Sequence, residues 1–248
     1  MRLLLDQGNT NLRWAVVEGG NQIVTSGVVP ADRPLGDAVR SLPDVVAASI
    51  SSVVVSSVAS STRNRELSEI VVRTFGSAPT FLTAMGSLAG LKNGYRDAAR
   101  LGCDRWLTML GARAIQNGPL LVVDAGSAVT VDAVRRSGEH LGGFIVPGYA
   151  LQCHALTTGT AGVGIATATP ERGWGRDTQT AVVNGVVLGL AALIDRSLRE
   201  LRQGVDETVS LVLTGGDAHR IAPCLESDYL LDEALIFRGM IVQMTTAG

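Results

Sequence analysis

Two stretches of this 248-residue chain end an apolar run in an aspartate and a glycine turn. They are Leu3-Leu4-Leu5-Asp6-Gln7-Gly8-Asn9-Thr10 and Leu120-Leu121-Val122-Val123-Asp124-Ala125-Gly126-Ser127. The chemistry open to such a stretch is phosphate binding. Glycine lets backbone N–H groups come close to an anion, and Asn9 and Thr10 add short donors. Asp6 can hold a hydrated Mg²⁺ against phosphate oxygens. The same residues also suit a plain hairpin turn. Asp6 and Asp124 are 118 residues apart (124 − 6), close to half the chain. The same alignment matches Leu3 with Leu121, Gly8 with Gly126, Ala15 with Ala133, Val16 with Val134 and Gly20 with Gly138. A repeat of that length implies a duplicated domain, with halves 1–117 and 118–248. Two such turns, one from each half, can face each other across a cleft and share a nucleotide triphosphate.

The elements that must position these turns are legible in order. Leu3 to Asp6, Leu12 to Val17 and Ile23 to Val29 read as three strands, with Gly19-Gly20-Asn21 as a hairpin turn. A short helix is expected over Pro34 to Leu42, a strand over Ile50 to Ser57, a helix over Thr62 to Phe75 and a strand over Thr80 to Leu82. This order implies a mixed sheet flanked by helices. Gly90 to Leu101 is irregular. Asp104 to Gln116 reads as an amphipathic helix with Trp106, Leu107, Leu110 and Ala114 on its apolar side. In the second half, strands are expected at Leu120, at Ala128 to Val134, at Leu141 to Val146 and at Val209 to Thr214. Helices are expected from Gln152 to Leu156, over Asp177 to Arg202 and over Leu231 to Thr245, with Thr158 to Gly175 a loop.

Composition removes several classes of function. A net charge of −2 and 4% aromatics give no general attraction to nucleic acid or anionic lipid and few stacking platforms. Cys103, Cys153 and Cys224 show no CxxC pattern, and the three histidines have no paired spacing, so a zinc site is not expected. Reduced thiols fit a cytoplasmic protein. The apolar run after Arg2 breaks at Asp6, too early for a signal peptide, and Asn184 and Asp195 bound the most apolar helical run below bilayer-spanning length.

Four segments in order give the sequence a resemblance to the type III pantothenate kinases, within the acetate and sugar kinase/Hsp70/actin superfamily. Asp6-Gln7-Gly8-Asn9-Thr10 is similar to the family's D-x-G-N-T/S turn. Asn93-Gly94-Tyr95 with Leu101-Gly102-Cys103-Asp104-Arg105 is similar to its Y…L-G-x-D-R segment. Asp124-Ala125-Gly126-Ser127-Ala128-Val129-Thr130 is close to D-x-G-T-A-x-T, and Gly142-Gly143-Phe144-Ile145-Val146-Pro147-Gly148 matches G-G-x-I-x-P-G. Thr178 stands seven residues before Gly185, as in the family. Ser127 departs from the usual threonine, keeping the hydroxyl, and Ala98 stands where the family often has proline.

The resemblance implies an α/β fold of two ribonuclease H-like (actin-like ATPase) domains, each a mixed five-stranded sheet flanked by helices, around a central cleft. It implies ATP-dependent phosphorylation of pantothenate, the first step of coenzyme A biosynthesis, in a homodimer. Asp6, Gln7, Gly8, Asn9, Thr10, Asn11, Leu12 and Arg13 correspond to the ATP phosphate segment, and Ser127 to a nucleotide contact from the other half. Asp6 would hold Mg²⁺ through water. Tyr95, Gly102, Cys103, Asp104, Arg105 and Thr178 correspond to the pantothenate pocket. Asp124 matches the position that binds a monovalent cation, K⁺ or NH₄⁺. A second carboxylate beside polyphosphate would need such a cation to offset repulsion. Asp104 is the candidate general base, though an aspartate where a loop enters a helix can equally be an N-cap. Arg105 suits a carboxylate, which guanidinium binds with two hydrogen bonds. Tyr95 can be a packed core aromatic, and His140 and His154 lack an evident acid–base partner. The alternatives are another kinase of the superfamily acting on a small acid or sugar, and a non-catalytic ligand-binding protein of the same fold.

Overall fold

Leu3, Leu4 and Leu5 are all buried, which makes their strand an inner one covered on both faces. In this computed structural model, which describes residues 1–19, 21–30, 49–164, 168–171 and 173–246, that strand is β1 (Arg2–Gln7). It pairs antiparallel with β2 (Asn11–Val17), which pairs antiparallel with β3 (Ile23–Pro30). On its other side β1 pairs parallel with β4 (Ser52–Ser57), which pairs parallel with β5 (Thr80–Phe81). The order β3-β2-β1-β4-β5 is the expected mixed five-stranded sheet. The connection from β4 to β5 is α1 (Ser61–Phe75), capped by Ser60 and stopped by Gly76 at φ 74°. Its Leu67 and Val71 pack on Leu3, Leu5, Val53 and Val55. Burying each such side chain contributes about 1.5–3 kcal/mol. The helix expected over Pro34 to Leu42 lies outside the described residues.

After two short strands, β6 (Ser87–Leu88) and β7 (Leu91–Lys92), a 3₁₀ turn at Ala98–Arg100 leads into α2 (Cys103–Ile115). The amphipathic reading of this helix needs correction. Trp106, Leu107, Met109, Leu110 and Ala112 are all buried, and so are Arg105 and Thr108, while Ala114 is exposed. Burial nearly all round marks a central core helix.

The second half repeats the first. β8 (Leu120–Ala125), β9 (Ala128–Val134), β10 (His140–Pro147), β11 (Ser210–Thr214) and β12 (Leu230–Leu231) form a sheet of order β10-β9-β8-β11-β12. Its β8–β9 and β9–β10 pairs are antiparallel, and its β8–β11 and β11–β12 pairs are parallel. The repeat is not rigid along the sequence. In the first turn the Gly8 N–H bonds the Asn11 carbonyl, and in the second the Gly126 N–H bonds the Ala128 carbonyl, so the second turn is one residue shorter. Ala15, opposite Leu4, therefore corresponds to Asp132, opposite Val122, and not to Ala133.

Between β10 and β11 lie α3 (Tyr149–Gly159) and α4 (Thr178–Gln203). α3 starts earlier and runs longer than the segment expected from Gln152 to Leu156, because Gly148 sits at its N-cap in extended conformation. α4 starts on Asp177, whose carboxylate accepts from the Thr180 N–H and hydroxyl, bonds that hold its pKa below the usual value. α4 is long and apolar enough to cross a bilayer, but it buries Val183, Val186, Leu190, Ile194 and Leu198 in the core of its own sheet.

A one-turn helix, α5 (Ala218–Ile221), follows β11, and the chain ends in α6 (Leu235–Thr246). The expected start at Leu231 is too early. Leu230 and Leu231 complete the sheet as β12, and Asp232 then accepts from the Ala234 N–H at 2.9 Å. α6 packs on α2 so closely that Gly239 admits no side chain, since a Cβ would strike the Leu107 carbonyl. The Trp106 indole donates to Gln243 Oε1 at 3.0 Å, and the Gln243 amide donates to the Thr83 carbonyl at 3.0 Å. Two compact units result: Met1–Ala89 with Tyr95–Gly111 and Ile236–Gly248, and Gly90–Gly94 with Ala112–Leu235.

Candidate active site

In the first unit, β1 ends on Asp6 and Gln7, both buried, and the turn Asn9-Thr10 stands exposed beyond them. Leu12 points into the core, so only its backbone can meet a ligand. Asp6 and Arg13 are cross-strand partners, and Arg13 Nε and Nη2 donate to Asp6 Oδ2 at 3.0 and 2.9 Å. Beside Asp6, in parallel register, stands Ser56 at the end of β4. Ser57 follows; its hydroxyl donates to Asn64 Oδ1 at 2.6 Å, with Gln7 Oε1 at 3.4 Å. Ser56, Ser57 and Asn64 were not singled out by sequence reasoning; the run ISSVVVSS carries the signal, a strand ending in hydroxyls level with the acidic turn.

Cys103 ties this strand end to α2. Its thiol donates to the Leu82 carbonyl at 3.2 Å, and its pKa rises to about 12. Burial is the main cause. The Ser56 side chain opposes it, and the negative charges of Asp104 and Asp6 add to it. One buried thiol thus lies in the field of both carboxylates. Asp104 itself is not an N-cap. It sits inside the first turn of α2, where the Trp106 N–H bonds the Gly102 carbonyl. Its Oδ1 accepts from the Arg105 N–H at 2.8 Å. A Cβ on Gly102 would lie 2.5 Å from that same Oδ1, so glycine leaves room for the carboxylate.

Arg105 is buried, its Nη1 donates to the Tyr95 hydroxyl, and its Cζ lies 5.4 Å from the Tyr95 ring centroid. Tyr95 is therefore a partner of the guanidinium as well as a packed aromatic. The residues just before it are held down in the second unit. The Lys92 N–H bonds the Gly138 carbonyl at 2.8 Å, and a Cβ on Gly94 would strike the carbonyl of His140. His140 has a structural partner, bonding Asp132 Oδ1 at 2.9 Å through Nε2 with both side chains buried. His154 is exposed.

The second acidic turn is built the same way from the other sheet. Asp124 ends β8 beside Thr214 of β11, in the register that sets Asp6 beside Ser56. Gly215 follows at φ 97°, and a Cβ there would lie 2.5 Å from Asp124 Oδ1 and from the Ala125 carbonyl. The Asp217 N–H bonds the Ala125 carbonyl at 2.9 Å. Gly148 of the GGFIVPG segment presses on the turn. Its N–H bonds the Ser127 carbonyl at 2.9 Å, and it has no room for a side chain. Ser127 is exposed at the tip. Thr178 is the exposed first residue of α4 and lines a surface hollow of about 540 Å³ with Gln152, Leu156 and Gly185. Among the described residues no group of three or more His, Cys, Asp or Glu could hold a metal ion. A cation here would rest on one carboxylate and neutral oxygens.

Residues 2–200 match the family model for type III pantothenate kinase. A type III pantothenate kinase of Nitrosococcus oceani is 34% identical over 250 residues, covering 97% of this chain and 92% of its own. Among solved structures, a conserved Campylobacter jejuni protein described as a Baf family transcriptional activator superposes with a TM-score of 0.60, at 24% identity and 98% coverage of both chains. A Porphyromonas gingivalis protein described as an N-acetylglucosamine kinase gives 0.50 at 14% identity over all of both chains. Likenesses this distant concern the fold alone, which is that of the actin-like ATPases and sugar kinases.

Proposed function

The chain belongs to the type III pantothenate kinase family and is an ATP-dependent pantothenate kinase, and on that premise we propose that Asp104 is its general base. The observation that carries this reading is that Cys103, next to Asp104, bonds the Leu82 carbonyl while the Leu82 N–H bonds Val55 of β4, the strand whose Ser56 stands beside Asp6, so base and phosphate turn belong to one neighbourhood.

The chemistry follows from these side chains. The backbone of residues 6–13, with Asn9, Thr10 and Arg13, receives the phosphates of ATP. Asp6 suits Mg²⁺ held through water, having a carboxylate at the base of the turn with Oδ2 already committed to Arg13. That ion, when bound, neutralises charge on the transferring phosphoryl group. Asp124 suits K⁺ or NH₄⁺, being a single carboxylate at the second turn. Arg105, oriented by Tyr95, pairs with the carboxylate of pantothenate, with Gly102 and Cys103 beside it. Asp104 takes the proton of the primary hydroxyl as that oxygen bonds to the γ-phosphorus. The bond from γ-phosphorus to the bridging oxygen breaks, and ADP leaves with its electron pair.

The reading includes a duplication boundary near residue 118, supported by the matching strand orders of the two sheets. It includes a homodimer, supported by apolar side chains left exposed on one unit: Phe144 and Ile145 on edge strand β10, Leu151 on α3 and Leu188 on α4. Three unpaired thiols suit a cytoplasmic enzyme.

The test is ADP release with ATP, Mg²⁺ and K⁺, supplying pantothenate, glucose or acetate. Turnover with pantothenate is expected, and Asp104→Asn should lower it by about 10²–10⁴-fold with an unchanged circular dichroism spectrum. An Asp104→Asn enzyme of near-normal rate would remove Asp104 as the base.

A further inference from the structure

Each half buries a hydroxyl beside its turn carboxylate. In each, a hydroxyl stands in register beside the turn carboxylate: Ser56 beside Asp6, and Thr214 beside Asp124. The Ser56 hydroxyl lies near the Cys103 thiol but, like that of Thr214, has no hydrogen-bond partner among the described residues. Thr214 is 1% exposed, and its Oγ1 has no hydrogen-bond partner among the described residues. A buried hydroxyl left without a partner is unfavourable, so a site that retains one normally has a missing partner to supply. The surroundings suggest what is missing. Gly215 holds the backbone at φ 97° and leaves space against Asp124 Oδ1 that any side chain would fill. One negative charge beside neutral hydroxyl and carbonyl oxygens suits a large monovalent cation that exchanges water for neutral oxygens. It suits Mg²⁺ poorly, because that ion gives up its waters reluctantly.

We propose that Thr214 Oγ1 is a second protein ligand, with Asp124, of a monovalent cation. The inference rests on the reading of Asp124 as a cation site and adds a residue to it.

The experiment measures the melting temperature of the full-length protein, with and without ADP, in KCl against equimolar choline chloride, beside the K⁺ dependence of turnover. Wild type should be stabilised specifically by K⁺. Thr214→Val keeps the shape and removes the oxygen. It should melt no lower than wild type in choline, lose the K⁺-specific rise, and need about tenfold more K⁺ for half-maximal rate. Thr214→Ser should keep the K⁺ response. If the valine variant does not fold, Thr214→Ala removes the same oxygen and is read the same way. A K⁺ response in these variants equal to wild type would overturn the role of Thr214 and leave Asp124 as the ion's ligand. No K⁺-specific stabilisation of wild type, with turnover intact, would overturn the cation site itself and Thr214 with it.

Discussion

Arg13 grips a single oxygen of Asp6, with Nε at 3.0 Å and Nη2 at 2.9 Å from Oδ2. The two residues face each other across β1 and β2, so the hairpin that forms the phosphate turn also orients its carboxylate. Both side chains are largely buried, 20% and 9% exposed, so the pair is worth more than a surface ion pair.

Arg13→Leu should therefore act twice. Loss of charge-assisted hydrogen bonds to Asp6 should lower stability by about 1.5–3 kcal/mol, read from urea unfolding. The ATP KM should rise with little change in the pantothenate KM. An unaltered ATP KM would detach Arg13 from the nucleotide.

Gly102→Ala separates positioning from folding. The new Cβ would meet Asp104 Oδ1 at 2.5 Å, and a flexible carboxylate can swing aside. Stability should barely change, while kcat falls about 10²-fold because the base is displaced. Unchanged kcat at unchanged melting temperature would show that the carboxylate has no need of its present position.

Tyr95→Phe removes the hydroxyl that accepts from Arg105 and keeps the ring beneath the guanidinium. Arg105 should lose orientation but not charge. The pantothenate KM is expected to rise several-fold with the ATP KM unchanged, and Arg105→Ala should raise it further. Steady-state kinetics with each substrate varied will check both, and equal effects on the two KM values would count against the carboxylate assignment.

The thiols should react unequally. Burial and neighbouring carboxylates push Cys103 up from 9.0 to about 12, so the folded protein holds a proton that the unfolded thiol would release. That contribution to stability is complete below pH 9 and is lost as pH rises towards 12. Burial raises Cys153 as well. At pH 8 a disulfide reagent should therefore titrate Cys224 rapidly, and Cys103 and Cys153 only after denaturation. Rapid reaction of Cys103 in the native protein would contradict its placement beneath Asp6 and Asp104.

The local pattern of the chain was enough to determine much of this. Apolar runs ending in Asp-x-Gly marked β1 and β8, because a buried strand and a polar turn have opposite composition. The repeat announced two like sheets, and Asp104-Arg105 stood out through the segment Leu101-Gly102-Cys103-Asp104-Arg105, whose form resembles that of a known family. Tertiary structure alone decided the rest. Ser56 and Thr214 are ordinary hydroxyls until parallel pairing sets each beside an acid far away in sequence. His140 acquires its role from Asp132 across a hairpin, and Met109 is buried while Ala114 is exposed, a difference that helical periodicity alone does not give. Leu231 of the short β12 reads as the start of a helix because two leucines carry no period of their own; only pairing with β11 makes them a strand. Spacing reports which face a residue occupies, but the partner on that face comes from distant segments, and long-range pairing is not written in any local stretch.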